Sequence, residues 1–281
     1  MSVKKAVIPA AGLGTRLLPV TKEMPKEMLP LFDRGAALSL KPLIQVVYER
    51  LYRAGVREFC VITGRGKRAL QDYFSRDEGY LAFLDSNGKG GLADGLRQFY
   101  EMVESSSLLW VNQPRPTGLG AAVALAEPFA GGEPFVVHAG DTYIASEGYL
   151  ERMMGSFERI RPKALFLTAR VEEPKSYGIV EEYEVEGEGL YRVLKVVEKP
   201  EAPRTNMAIV PVYVFAHGLF DVLRAVKPGA GGEVQLTDAI QRIAEEDEVY
   251  ALELENSGDY IDIGRPESYL KALEKSYGLS T

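Results

Sequence analysis

At 281 residues the chain is long for one average domain and short for two, so residues 1–281 are read as one large α/β unit or a core with an elaboration. Hydrophobic residues make up 46% and charged residues 26%, the globular norm, which leaves enough apolar material for a substantial core. A formal charge of −7 disfavours general attraction to nucleic acid or anionic membrane, so neither partner is expected and any phosphate site must be a local basic cluster.

The N-terminus passes from Lys4-Lys5 through Ala6-Val7-Ile8-Pro9 straight into glycines. No long apolar stretch precedes them, so neither signal peptide nor membrane span is expected and a cytoplasmic setting fits. Short apolar runs then alternate with segments of helical period, the pattern of a parallel sheet covered by helices. Ala6-Val7-Ile8 is the first run, followed by a Gly-rich loop. Leu43, Val47 and Leu51 recur every four residues, with Ala54 near the end and Gly55 as a stop, which predicts a helix over Pro42 to Ala54. Strands follow at Glu58 to Thr63, Leu108 to Asn112 and Phe135 to Ala139, with an Ala-rich helix over Gly120 to Ala126. Cys60, the single cysteine, lies in the run Phe59-Cys60-Val61-Ile62 and reads as a buried structural thiol. The Gly- and Asp-rich segment Asp77 to Gly95 reads as an exposed excursion.

After a helix near Leu150 to Arg159 the character changes. Ala164 to Val171, Ile179 to Tyr183, Tyr191 to Glu198 and Ala208 to Phe215 read as strands with few helices between them, which predicts added antiparallel strands. Helices near Leu219 to Val226, Leu236 to Glu245 and Pro266 to Tyr277, with a strand at Val249 to Leu254, close the chain. The fold class expected is a Rossmann-like, mostly parallel sheet covered by helices, with antiparallel strands added in the second half.

The stretch Pro9-Ala10-Ala11-Gly12-Leu13-Gly14-Thr15-Arg16-Leu17-Leu18-Pro19 directly follows the first strand. Gly12 and Gly14 let backbone amides approach an anion, and Thr15 and Arg16 add a hydroxyl and a forked, permanently charged donor. A dinucleotide fingerprint would need glycine where Leu17 stands, and a Walker loop would need Gly-Lys-Ser/Thr after its glycines. On its own, a Gly-x-Gly turn after a strand is equally a tight connection. Prolines at 19, 25 and 30 prevent one continuous helix through Thr21 to Leu31, so Lys26 belongs on an irregular loop near the glycines.

Taken together, Gly12-Leu13-Gly14-Thr15-Arg16 and Pro25-Lys26 resemble the signature of the nucleotidylyltransferases that activate sugar 1-phosphates, and the resemblance continues over roughly residues 3 to 275. Lys26-Glu27-Met28-Leu29-Pro30-Leu31 and the run from Gly229 to Ile240 are similar to the branch that uses UTP and glucose 1-phosphate. Gln113-Pro114-Arg115-Pro116-Thr117-Gly118-Leu119 is more similar to the branch that uses dTTP, and Ala121 stands where the UTP-using branch carries histidine.

The resemblance implies Mg²⁺ as cofactor, held by Asp141 after the strand Phe135 to Ala139 and by Asp262 in Tyr260-Ile261-Asp262-Ile263-Gly264. Two strand-end aspartates suit a hard cation that keeps waters and bridges substrate phosphates. It implies nucleotide contacts at Ala10, Ala11, Gly12, Gly14, Thr15, Gln113 and Gly118, with the donor and acceptor of Gln113 meeting the pyrimidine edge. Sugar-phosphate contacts are implied at Tyr177, Gly178, Glu198 and Lys199, and the catalytic set at Arg16, Lys26, Asp141 and Lys199. The first half, to about residue 145, would hold the nucleotide, and the second, from about 146, the sugar phosphate. A homodimer or homotetramer is implied as well. The reaction implied is in-line transfer of a nucleotidyl group to a sugar 1-phosphate with release of pyrophosphate; a dTTP-using enzyme and a non-catalytic nucleotide-sugar sensor are the alternatives. His138, flanked by Val137 and Ala139, reads as a core residue rather than a base.

Overall fold

The computed structural model describes residues 3–34, 38–229 and 232–280. Ala230 and Gly231, inside the Gly229 to Ile240 motif, lie outside the described residues.

Strand β1 (Lys5–Ala10) is buried at all six positions, as a central strand covered on both faces requires. The chain leaves it through single 3₁₀ turns at Thr15–Leu17, Val20–Lys22 and Lys26–Met28, the prolines at 19, 25 and 30 preventing anything longer. A two-stranded ribbon follows, β2 (Pro30–Arg34) against β3 (Leu38–Pro42). Next come α1 (Leu43–Arg53), β4 (Glu58–Thr63), α2 (Arg68–Phe74), α3 (Glu78–Ser86), α4 (Gly90–Glu104), β5 (Ser107–Asn112), α5 (Leu119–Ala124), α6 (Glu127–Ala130) and β6 (Phe135–His138). Leu43, Val47 and Leu51, spaced one helical turn apart, are fully buried or nearly so, each contributing about 1.5–3 kcal/mol of transfer free energy.

The segment from Asp77 is not an excursion but a helical hairpin. Asp77 caps α3 by accepting from the Tyr80 amide at 2.8 Å, and Leu81, Leu84, Ala93 and Phe99 turn inward. Its glycines and charges occupy the solvent face and the turn, where they hide the period of the buried positions.

The second half contains β7 (Thr142–Ile144), α7 (Tyr149–Ile160), β8 (Ala164–Arg170), β9 (Gly178–Gly187), β10 (Leu190–Glu198), β11 (Met207–Phe215), α8 (Leu219–Ala225), α9 (Leu236–Glu246), β12 (Val249–Glu253), β13 (Tyr260–Asp262) and α10 (Pro266–Ser280). One nine-stranded sheet runs through both halves in the order β5-β4-β1-β6-β11-β8-β12-β10-β9. Its first four strands are parallel and follow the chain order third, second, first, fourth, as in a Rossmann fold. Beyond β6 the neighbours are antiparallel except β8 beside β12. Alternate β1 residues feed the cores on either face: Ala6, Ile8 and Ala10 one, and Val7 the other, beside Cys60 of the neighbouring β4. His138 is fully buried, its Nε2 2.8 Å from the Tyr149 hydroxyl. Among the described residues no helix is long and apolar enough to cross a membrane.

Two consequences position the site. Strand order reverses between β1 and β6, and in such sheets the crevice outside the carboxyl ends of those strands takes ligands. Separately, β7 and β13 form a ribbon that pairs Asp262 with Thr142, and the Ile263 amide donates to the Asp141 carbonyl at 3.0 Å. Aspartates 121 positions apart in the chain are thereby brought to one end of one ribbon.

Candidate active site

An open cavity of about 660 Å³ occupies that crevice. Ala11 and Gly12 enter it from the end of β1, Gln113 from the end of β5, Asp141 from the end of β6 and Asp262 from β13; Arg16 and Lys26 reach in from the turns after β1. The far wall holds Tyr177, Gly178, Glu198 and Lys199.

Charge is arranged in two layers at the centre. Lys26 Nζ donates to Asp141 Oδ2. Burial opposes the lysine charge, but the adjacent carboxylate outweighs it and Lys26 is held above the usual range; reciprocally, burial pushes Asp141 up while the ammonium brings it below the usual range. Behind this pair, Glu27 and Lys67 form a second one, both nearly inaccessible to solvent. Burial raises the Glu27 carboxyl and lowers the Lys67 ammonium, with the Lys26 charge also opposing that of Lys67. Asp262 has less compensation. Burial, and then the neighbouring Asp141 carboxylate, push it up to about 6, and its nearest cation is the Arg16 guanidinium at 4.0 Å. Asp262 is therefore the less compensated member of the carboxylate pair.

On one side, the amide of Gln113 donates to the Thr63 carbonyl at 2.7 Å, while its side-chain Nε2 is buried with no hydrogen-bond partner. An orphaned buried donor at a cavity wall is a group awaiting an acceptor. The following loop is clamped by Val234, which accepts from the Gly120 amide and donates to the Thr117 carbonyl, both at 2.9 Å. Gly118 permits this clamp: its φ is +104°, and a Cβ there would lie 2.6 Å from the Val234 carbonyl oxygen.

The opposite wall is one hairpin. Glu198, at the end of β10, pairs in register with Gly178, at the start of β9, and Thr237 of α9 donates to Glu198 Oε2 at 2.7 Å. Lys199 sits at φ +44°, in the left-handed region that lysine rarely adopts, with its amide bonded to the Tyr177 carbonyl at 3.0 Å. Its ammonium lies 3.3 Å from Glu198. The rings of Tyr177 and Tyr260 meet edge-on at 6.2 Å between centroids.

With this geometry in view, the sequence profile of the nucleotidyl transferases matches residues 5–277. The chain belongs to that family. Among relatives of this nucleotidyl transferase, UTP–glucose-1-phosphate uridylyltransferase 2 of Staphylococcus saprophyticus is 38% identical over 275 residues, which cover 96% of this chain and 90% of that protein. A solved UDP-glucose pyrophosphorylase complexed with UDP-glucose is 32% identical and superposes with a TM-score of 0.85, covering 98% of this chain and 99% of that one. A UTP-bound UGPase from Acinetobacter baumannii is 31% identical with a TM-score of 0.84, covering 99% and 94%.

In this nucleotidyl transferase the cavity brings together Arg16, Lys26, Asp141, Lys199, Ala11, Gly12, Gln113, Gly118, Tyr177, Gly178, Glu198 and Asp262. Ala10, Gly14 and Thr15 do not line it. Ala10 is the buried last residue of β1; Gly14 turns in the left-handed region with its carbonyl accepting from the Thr21 hydroxyl at 2.8 Å; Thr15 begins the exposed turn that aims Arg16. Sequence reading missed Lys67, Val234 and Thr237, which act through tertiary packing and carry no local signal, and Arg265, Ser268 and Lys271, whose three-residue spacing, from the residue before α10 into its second turn, is the one cue available. The donor set also fits a divalent cation. Among the described residues no group of three or more His, Cys, Asp or Glu side chains could cage a metal. Asp141 and Asp262 are instead a sparse pair of carboxylates, the second incompletely compensated, suited to Mg²⁺, which takes one or two carboxylates and completes its shell from water and phosphate oxygens.

Proposed function

We propose that this chain is an enzyme that transfers the uridylyl group of UTP to glucose 1-phosphate, giving UDP-glucose and pyrophosphate, with Mg²⁺ as cofactor. In this reading residues 1–281 act as a single, cytoplasmic nucleotidyltransferase domain, in the form of a homodimer or homotetramer. The part to about residue 145 holds the nucleotide and the rest holds the sugar phosphate. One observation carries it: the Lys26, Asp141 and Asp262 cluster lies in one cavity between the orphaned donor of Gln113 and the Glu198–Lys199 corner. The names of the relatives support the same substrates.

No general base is required. The second pKa of a phosphate monoester is about 6, so at neutral pH the sugar phosphate oxygen is already ionised and nucleophilic. The obstacle is bringing two polyanions together, and the chain's contribution is positioning and charge neutralisation. Arg16 and Lys26 hold the triphosphate and orient its α-phosphorus for in-line attack. Lys199 holds the sugar phosphate, and Glu198, fixed by Thr237, accepts from sugar hydroxyls. Tyr177 and Gly178 close that pocket, while Ala11, Gly12 and Gly118 line the base with Gln113 on its edge; Ala10, Gly14 and Thr15 support the loop from behind. Mg²⁺ held by Asp141 and Asp262 would neutralise charge between the reacting phosphates.

Incubation of the purified protein with UTP, glucose 1-phosphate, Mg²⁺ and pyrophosphatase tests this, with UDP-glucose as the expected product. No turnover with any nucleoside triphosphate would return the chain to a nucleotide-sugar sensor. The loop Gln113 to Leu119 keeps dTTP as a second reading, because uracil and thymine offer Gln113 the same edge. A methyl-sized difference supplies about 10- to 200-fold discrimination, so UTP should lead, dTTP follow, and CTP, ATP and GTP trail. Higher kcat/KM with dTTP would reverse the first two.

A further inference from the structure

The cations around the cavity fall into two kinds. Lys26 is paired with Asp141, Lys199 lies 3.3 Å from Glu198, and Arg16 approaches Asp262. Arg265 and Lys271 also line the cavity, yet among the described residues neither side chain makes an ion pair or hydrogen bond. With Ser268 they stand at three-residue intervals from the start of α10, so they share one face of the helix, and that face is turned to the cavity. Ser268 is already used locally, accepting from the Arg265 amide at 3.2 Å and donating to the Arg265 carbonyl at 3.0 Å. What remains is two cations without a direct partner facing a concave surface, Arg265 reaching the Asp262 carboxylate only at longer range, in a protein whose net charge is −7.

Their neighbour indicates which anion they meet. The Arg16 guanidinium packs directly on Gly264, so closely that a Cβ there would lie 2.5 Å from its Nη2. Arg265 follows at once in the chain, so the Gly-rich loop and α10 present one cationic surface running from Arg16 through Arg265 to Lys271. Lys199 lies on the β9–β10 hairpin instead.

We propose that Arg265 and Lys271 form a phosphate-binding wall that receives the β- and γ-phosphates of the nucleoside triphosphate and holds them as the leaving pyrophosphate. The inference rests on the nucleotidyl-transfer reading above but not on the identity of the base or sugar. Both side chains are solvent-exposed, so screening limits what each contributes; their joint effect falls on groups present in a triphosphate and in pyrophosphate and missing from a nucleoside monophosphate.

The test uses Arg265→Gln, Lys271→Gln, the double variant and Arg265→Lys in the full chain. Calorimetric titration with inorganic pyrophosphate and Mg²⁺ needs neither UTP nor sugar, so it reads the wall even if UDP-glucose is never formed. We expect the double variant to bind pyrophosphate about tenfold more weakly, each single variant less so, and Arg265→Lys to recover part of the loss. Binding of UMP and of glucose 1-phosphate should stay within about twofold. In the reverse reaction the KM for pyrophosphate should rise while that for UDP-glucose holds. Pyrophosphate binding within about twofold of wild type in the double variant would overturn the proposal, as would a matching loss of glucose 1-phosphate affinity, which would assign the wall to the sugar phosphate.

Discussion

The two halves of the molecule build their sides of the cavity by different means. In the parallel half, site residues come from loops leaving three separate strands: Ala11 and Gly12 after β1, Gln113 after β5 and Asp141 after β6. Their convergence follows from topology, because parallel strands end at the same edge of the sheet and the crevice opens where strand order reverses. In the antiparallel half, Gly178 and Glu198 face each other across one hairpin, so their placement depends on register, with Thr237 of α9 locking it. Irregularities near Tyr191, Lys195 and Val196 shift that register before Glu198 is reached. Topology tolerates local change and register does not: one residue of slip would turn Glu198 to the opposite face. Substitutions on the two sides should therefore fail differently.

The centre, shared by both halves, should show the largest effect. Lys26→Ala and Asp141→Asn should each lower kcat/KM by about 100-fold or more while the fold persists, since in the proposed mechanism each removes charge needed to neutralise the reacting phosphates. Steady-state rates and a thermal melt check this. Near-normal turnover of Lys26→Ala would leave that lysine as a partner of Asp141 and nothing more.

Glycine substitutions sharpen the comparison next. At Gly118, alanine would combine a positive φ with a contact to the Val234 carbonyl; strain of about 1–3 kcal/mol is expected, read as a lower melting temperature and a raised KM for UTP. At Gly178, a Cβ would lie 2.8 Å from Thr237 Oγ1 and 3.1 Å from Glu198 Oε2. There we expect the KM for glucose 1-phosphate to rise and that for UTP to hold. If both variants raised both constants equally, the cavity would behave as one undivided pocket.

The smallest effect concerns the seam. His138 lies on β6, beside Val212 of β11, where the halves join. Burial lowers its pKa to about 4 from an ordinary 6.5, so the folded state holds it neutral. Its stabilisation is complete above about pH 6.5 and is lost as pH falls toward 4, because the unfolded chain takes up the proton first; on the order of 3 kcal/mol is at stake. Urea unfolding at pH 7 and pH 4.5 should show a smaller acid loss in His138→Gln than in wild type.

Much of this was legible in the sequence, for identifiable reasons. Strands such as Glu58–Thr63 are buried on both faces and read as unbroken apolar runs; α1 shows its buried stripe openly. The β2–β3 ribbon gave no such signal, since Leu38 and Leu40 are exposed and no core imposes a period on them. The hairpin α3–α4 hid behind its glycines and charges. Motif residues next to strand ends, such as Gly12, Gln113 and Asp141, were picked out from local sequence, and they line the cavity. Lys67, Val234 and Thr237 were not, because each acts on a residue at least 39 positions away, reached only through folding.

The division of labour between the halves is tested most directly by Lys199→Ala, titrated separately with UTP and with glucose 1-phosphate. The account predicts that UTP affinity stays within about twofold of wild type while glucose 1-phosphate affinity falls about tenfold or more, because the ammonium serves the sugar phosphate alone. Equal loss of both affinities would contradict it.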